Sequence, residues 1–398
     1  MGKLINIYGE TLYEANGTTE ELFMEAVQKG VSLKAIDAEG INLSNQRITN
    51  LIAPMGKFSG ANLDGAVIES SNLQQADFNK ASANNTQIVN CDLSAGYYAD
   101  LDSLVGFTGI KGNGILVKGC NIGKSVWRGS NLENAKFIEN KNCSTIDFSF
   151  SKVDKAEFFG SEYIEADFSH LKSSVNTKLP QKMTRCRFNN TVLKSPKITG
   201  ATLFECHLEE LTIEKGNIKS MTLLECKGEG MKFILSTMED CMLYGEYPRF
   251  KAEGTNFINS KFDGNFFNSI WENSELINCI GKELNLSMSS MDKVKIERSD
   301  FASSKLQFSN FNNTDLSKTN LNNCEIYQTS FTNSPVNNED QLRTVPTAAI
   351  KKDAGLSNTD GIIHTSPSKS ARANSKFISK DLVEGAVEEK ISNSKSKR

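Results

Sequence analysis

Ala61-Asn62-Leu63-Asp64-Gly65-Ala66-Val67-Ile68-Glu69-Ser70-Ser71-Asn72-Leu73-Gln74-Gln75-Ala76-Asp77-Phe78-Asn79-Lys80 repeats every five residues. The centres Leu63, Ile68, Leu73 and Phe78 are large and apolar. The residues two places earlier, Ala61, Ala66, Ser71 and Ala76, are small. Extended at the same step, the row runs from Leu33 to Leu93; of its thirteen positions ten are large apolar residues and three are Ala. The period then breaks and returns over 117–137, 148–168, 188–243 and 271–331, with Gly228 and Gly281 the exceptions in the last two runs.

A period of five belongs to neither common element. A helix places apolar residues at a spacing of about 3.6, and a half-buried strand alternates. A chain that turns a corner every five residues does fit. Two side chains per group then point inward, and the other three face water or sit at the corner.

Ala61–Gly65, Ala76–Lys80, Thr314–Lys318 and Thr319–Asn323 resemble the A(D/N)LXX motif of the pentapeptide-repeat family. The resemblance covers roughly residues 31–334. It implies an all-β fold, a right-handed quadrilateral parallel β-helix with four pentapeptides per coil. About 300 residues at that rate make about 15 coils, stacked about 4.8 Å apart into a rod roughly 70 Å long.

Outside the repeat, residues 1–30 read as an N-terminal cap. Residues 3–14 form a hairpin turning at Gly9-Glu10. Thr18 and Glu21 have the spacing of a capping box, and Gly30 suits the C-terminal stop of a helix over 19–28. Leu22, Phe23, Ala26 and Val27 give that helix an apolar side, suited to covering an open strand edge. Three stretches interrupt the repeat, near 96–114, 169–183 and 246–256, the last with a register slip of one residue. Residues 335–398 hold eleven basic and eight acidic residues and are rich in Ser, Asn, Thr and Lys. That composition predicts a low-complexity, mostly disordered tail, with one short helix over 379–391.

The chemistry-bearing residues point away from catalysis. Only His170, His207 and His364 are present. No phosphate loop, nucleophile elbow, HExxH or EF-hand sequence occurs. A uniform core leaves no concave site, so the expectation is a protein that is not an enzyme and holds no metal or cofactor. Eight of the nine cysteines, Cys91, Cys120, Cys186, Cys206, Cys226, Cys241, Cys279 and Cys324, fall at the inward position before a centre. There Cys acts as a small hydrophobe. The spacing of twenty between Cys186, Cys206 and Cys226 predicts that they stack. A reduced interior predicts a cytoplasmic location. No apolar run of the length a bilayer span requires is present, and residues 1–25 show no secretory leader pattern.

The reading that follows is a scaffold that binds a protein partner through its outer faces and loops. Loops on a rigid frame concentrate binding residues, and Tyr97, Tyr98 and Phe107 of the first interruption are the candidates. Two alternatives come from the resemblance. Some family members mimic DNA and bind a type II topoisomerase, gyrase. With 34 basic and 40 acidic residues, positions 1–334 carry little charge for that role, since a duplex bears one negative charge per ~1.7 Å. Other members are bacterial effectors translocated into a host cell. The overall balance of 45 basic against 48 acidic residues indicates neither nucleic acid nor a membrane as partner. A homodimer is left open.

Overall fold

The structure is a computed structural model and describes residues 1–94, 106–172, 174–326 and 328–334. Those residues form a nearly all-β parallel solenoid of about fourteen coils. Its corners follow from backbone sterics. The fifth residue of each group takes a positive φ: Asn45 at 58°, Asn50 at 60°, Gly60 at 70° and Gly65 at 69°. The next residue closes the turn by donating its N–H to the centre three residues back, as Ala61 does to Phe58 O at 3.0 Å. Glycine and asparagine enter this left-handed region at least cost, which explains their recurrence at corners.

Between corners the chain is extended for two or three residues, too few for a free-standing strand. Stacking supplies the partners. On one face Arg47–Thr49, Val67–Glu69 and Gln87–Val89 pair in parallel, each residue with the one twenty positions on. The same face continues to Asp315–Asn320. A second face runs from Val192–Lys194 to Ser330–Thr332, and a third from Cys143–Ser144 to Lys261–Asn265. The fourth is held by single bridges such as Asp147 to Asp167 and Arg187 to His207.

The inner positions divide the work of filling the axis. The centres carry bulk. Down one side, Phe58, Phe78, Phe107 and Trp127 stack ring on ring, with centroids 5.0, 5.0 and 3.9 Å apart. Phe148, Phe168 and Phe188 prolong the column. Positions two before a centre are small because they sit against the neighbouring coil's backbone. Where a hydroxyl occupies them it is buried but satisfied. Ser304 Oγ donates to Gly281 O at 2.9 Å and accepts the Leu284 N–H at 3.2 Å. The two tryptophans use the same position, each donating its ring N–H to a serine two residues earlier, Ser125 and Ser269.

Departures from twenty per coil are local. Gln87 pairs with Leu116, a step of 29 that contains residues 95–105. Lys136 pairs with Glu157, one residue more than the norm, after the coil lengthens at Cys143. In 169–183 the coil continues with Leu171, Ser174, Thr177 and Met183 buried. Lys232 pairs with Lys251 and Met242 with Lys261, one residue fewer than the norm. The missing residue is lost at Gly245, and a second is lost one coil later at Gly264, which pairs with Gly245. A Cβ on Gly264 would lie 2.1 Å from Gly245 O, so the shortened corner requires glycine.

The N-terminal end is closed by β1 (Gly2–Ile5), β2 (Thr11–Ala15) and α1 (Thr19–Gln28). β1 and β2 form an antiparallel hairpin. The Thr18–Glu21 capping box is formed at the start of α1, whose Leu22, Phe23, Ala26 and Val27 are buried. Phe23 meets Phe58 edge-on at 6.1 Å, at the head of the aromatic column. Chain just beyond β1 also covers the open edge, with the Ile7 N–H on Ala35 O and the Asp37 N–H on Ile5 O.

Candidate interaction surface

Tyr97 and Tyr98 lie outside the described residues. Phe107 is 3 % exposed and its ring is held between Phe78 and Trp127. It belongs to the core and not to a projecting loop, because the chain re-enters the coil at Gly106, whose carbonyl accepts the Phe78 N–H at 2.7 Å. Its place in the aromatic column was legible from spacing: Phe107 and Trp127 are twenty residues apart.

The cysteines lie in the interior. All nine are buried and unpaired as disulfides. Burial pushes the Cys143 and Cys241 thiols up to about 11 and those of Cys279 and Cys324 to about 12. A thiol so held remains protonated and poorly nucleophilic at neutral pH. Cys186, Cys206 and Cys226 pack on one another in consecutive coils, as the spacing of twenty predicts. Among the described residues, no three His, Cys, Asp or Glu side chains converge as a metal site.

Chemistry accessible to a partner therefore lies on the outer faces. Much of it is a lattice of cross-coil ion pairs: Lys178–Glu157 at 2.7 Å, Arg185–Glu165 at 3.0 Å, Lys219–Glu239 at 2.6 Å and Lys232–Glu210 at 2.9 Å. Solvated pairs of this kind add little stability each, but they fix a mixed surface. A shallow cleft of about 300 Å³ interrupts the lattice beside the irregular coil at 171–175, lined by Lys172, Ser174, Val192, Lys194 and Glu214.

One face is different. Ile164, Thr184, Phe204, Leu224 and Tyr244 stand in direct register on the outside of five successive coils. All are half-buried and lie on one another. The spacing of twenty between Phe204, Leu224 and Tyr244 carried this signal, at positions that a reading of the inward rows passes over.

The profile for Pentapeptide repeats matches eight copies, at residues 57–94 and 296–333. Between those segments the chain keeps the same corner, register and inward rows. Over those two segments the chain matches the pentapeptide-repeat family. No curated protein matches it in sequence. Among solved structures, it is similar to HetL of the cyanobacterium Nostoc sp. strain PCC 7120, a pentapeptide repeat protein involved in heterocyst differentiation regulation. The two are 10 % identical over 81 % of this chain and 98 % of that one, with a TM-score of 0.23. QnrB1, a plasmid-mediated fluoroquinolone resistance protein, is 13 % identical over 55 % of this chain and 92 % of its own, with a TM-score of 0.23. A mannuronic acid specific polysaccharide family 6 lyase from human gut microbiota is 10 % identical over 69 % of this chain and 76 % of its own, with a TM-score of 0.21. At these scores the likenesses carry no argument about role. Among the described residues, no helix is long and apolar enough to cross a membrane.

Proposed function

We propose that the protein is a non-enzymatic scaffold whose outer faces bind a protein partner. The observation that supports this most directly is the outward ladder of Ile164, Phe204, Leu224 and Tyr244, apolar surface presented on a flat parallel sheet. Repeat arrays use such extended faces for recognition. Aromatic anchors surrounded by charge are a common makeup of protein interfaces. A surface that imitates a nucleic-acid duplex calls for like charges in close succession, whereas acidic and basic side chains alternate across most coils here. That contrast favours a protein partner that reads mixed charge.

The test is affinity capture from the source organism with the full chain and with a variant carrying Phe204→Ser, Leu224→Ser and Tyr244→Ser. Circular dichroism verifies that both retain the fold. A defined partner retained by the native chain and lost by the variant is expected. Identical capture by the two proteins would overturn the assignment of this face.

A further inference from the structure

The ladder carries an asymmetric charge distribution at its C-terminal end. Glu205 and Glu225 occupy the corner positions next to Phe204 and Leu224. Asp263 is the register partner of Tyr244 in the following coil, and Glu246 pairs with Asn265 alongside. Asp263 is partly buried, and both burial and the nearby Glu283 raise its pKa. Cations also face this region. Arg185 is engaged by Glu165 at 3.0 Å and Glu205 at 3.7 Å, and Lys282 is engaged by Asp300 at 3.0 Å. Lys182 and Lys261 stand on the neighbouring outward row of the same face. Among the described residues, Glu225, Asp263 and Glu283 have no basic group within 4.0 Å. Carboxylates beside half-buried aromatic surface, one of them partly desolvated, fit an occupant that brings both cations and apolar side chains.

The chain contains such a segment. Residues 361–380 read Gly-Ile-Ile-His-Thr-Ser-Pro-Ser-Lys-Ser-Ala-Arg-Ala-Asn-Ser-Lys-Phe-Ile-Ser-Lys. They hold Lys369, Arg372, Lys376 and Lys380 and no acidic residue, with Ile362, Ile363, Phe377 and Ile378 as apolar members. The following nine residues carry Asp381, Glu384, Glu388 and Glu389, which separate this basic stretch from a second one at Lys390, Lys395, Lys397 and Arg398 that holds Ile391 as its one large apolar residue. Reach is sufficient. The 26 residues of 335–360 lie between the last described coil and the segment, and that length spans at most about 90 Å. The coil bearing Tyr244 is about four and a half coils back along the axis, roughly 22 Å. Attachment to the same chain raises the local concentration of the segment over any free competitor.

We propose that residues 361–380 dock in cis on the face bearing Phe204, Leu224 and Tyr244. Lys369, Arg372 and Lys376 meet Glu225, Asp263 and Glu283, and Phe377 and Ile378 cover the aromatic ladder. An outside partner for this face must then displace the chain's own segment. This inference rests on the fold and stands apart from the scaffold reading, because a face can be self-occupied whether or not another protein uses it.

The test is zero-length carbodiimide cross-linking of the full chain, analysed by mass spectrometry on an equal mixture of ¹⁵N-labelled and unlabelled protein. The expected result is same-isotope cross-links from Lys369 or Lys376 to Glu225 or Glu283. They are lost in a Lys369→Glu, Arg372→Glu, Lys376→Glu variant. Reversal of the face by Glu225→Lys and Glu283→Lys in that variant brings back linkage between segment and face with the roles exchanged. Hydrogen exchange over 222–227 and 242–246 quickens in the first variant and recovers in the second. Mixed-isotope cross-links would place a second copy on the face and overturn docking in cis. Absence of linkage together with unchanged exchange would overturn the proposal entirely while leaving the capture experiment to judge the scaffold reading on its own.

Discussion

Gly228 and Gly281 are gaps in an otherwise apolar row, and both are filled by the following coil. A Cβ on Gly228 would lie 2.9 Å from the Tyr247 ring, and one on Gly281 would lie 2.7 Å from the Phe301 ring. The large residue has been moved by one coil and its volume conserved. Gly228→Leu, which restores the repeat's preferred residue, is therefore expected to destabilise by about 1–3 kcal/mol through overpacking, read as a lowered midpoint in denaturant unfolding. Tyr163 is the opposite case. It is fully buried, and its hydroxyl meets only the Cys143 thiol, a weak partner that leaves it without a well-formed hydrogen bond. Tyr163→Phe removes an unsatisfied group and is expected to leave stability unchanged or raise it by about 1 kcal/mol. Ser304 bridges two coils, so Ser304→Ala strands the Leu284 N–H and the Gly281 carbonyl. A loss of about 1–3 kcal/mol is expected, measured in the same way. Equal midpoints for the serine and tyrosine variants would contradict the bridging role.

At the scale of elements, the helix over Thr19–Gln28 is an amphipathic lid. Its apolar side was legible from Leu22, Phe23, Ala26 and Val27, and its start from Thr18 and Glu21. The addition of chain beyond β1 to the first coil was not legible. The contacts join main-chain groups of Ile7 with Ala35 and of Asp37 with Ile5, far apart in the chain, and backbone groups leave no residue-type signature. Phe23→Ala opens the head of the aromatic column, a change that costs about 3–5 kcal/mol at a buried phenylalanine. Faster hydrogen exchange confined to coils 33–53 is expected. A uniform increase along the whole rod would show that the lid does not act locally.

At the scale of the whole molecule, the solenoid is one-dimensional, since each coil touches only its neighbours. Trp127 ties three coils together, stacking on Phe107 at 3.9 Å and meeting Phe137 and Phe148 at 5.0 and 6.3 Å. Trp127→Ala should uncouple the coils on either side and broaden or split the thermal transition. A single sharp transition displaced to lower temperature would mean that cooperativity passes through the backbone ladder alone.

The architecture could be read from side chains because the repeat is short and every coil reuses the same inward positions. Five-residue spacing is enough to place Leu63, Phe78, Phe188 or Leu243 on the axis, and twenty-residue spacing enough to stack Cys186, Cys206 and Cys226. The surface could not be read in this way. Outward positions carry no packing requirement, so nothing local separates Phe204 and Tyr244 from a scattered exposed residue until register sets them on one another. Phe107 shows the reverse: in the chain it neighbours a break in the repeat that masks its spacing of twenty from Trp127, and stacking between Phe78 and Trp127 assigns it to the core. Which side chains turn inward was determined by local period, whereas which outer side chains become neighbours depended on coil length, including the residues lost at Gly245 and Gly264. A residue lost from one coil changes the juxtaposition of every pair that spans it, as with Lys232 and Lys251, without changing the pentapeptide itself, and only the tertiary structure records that change.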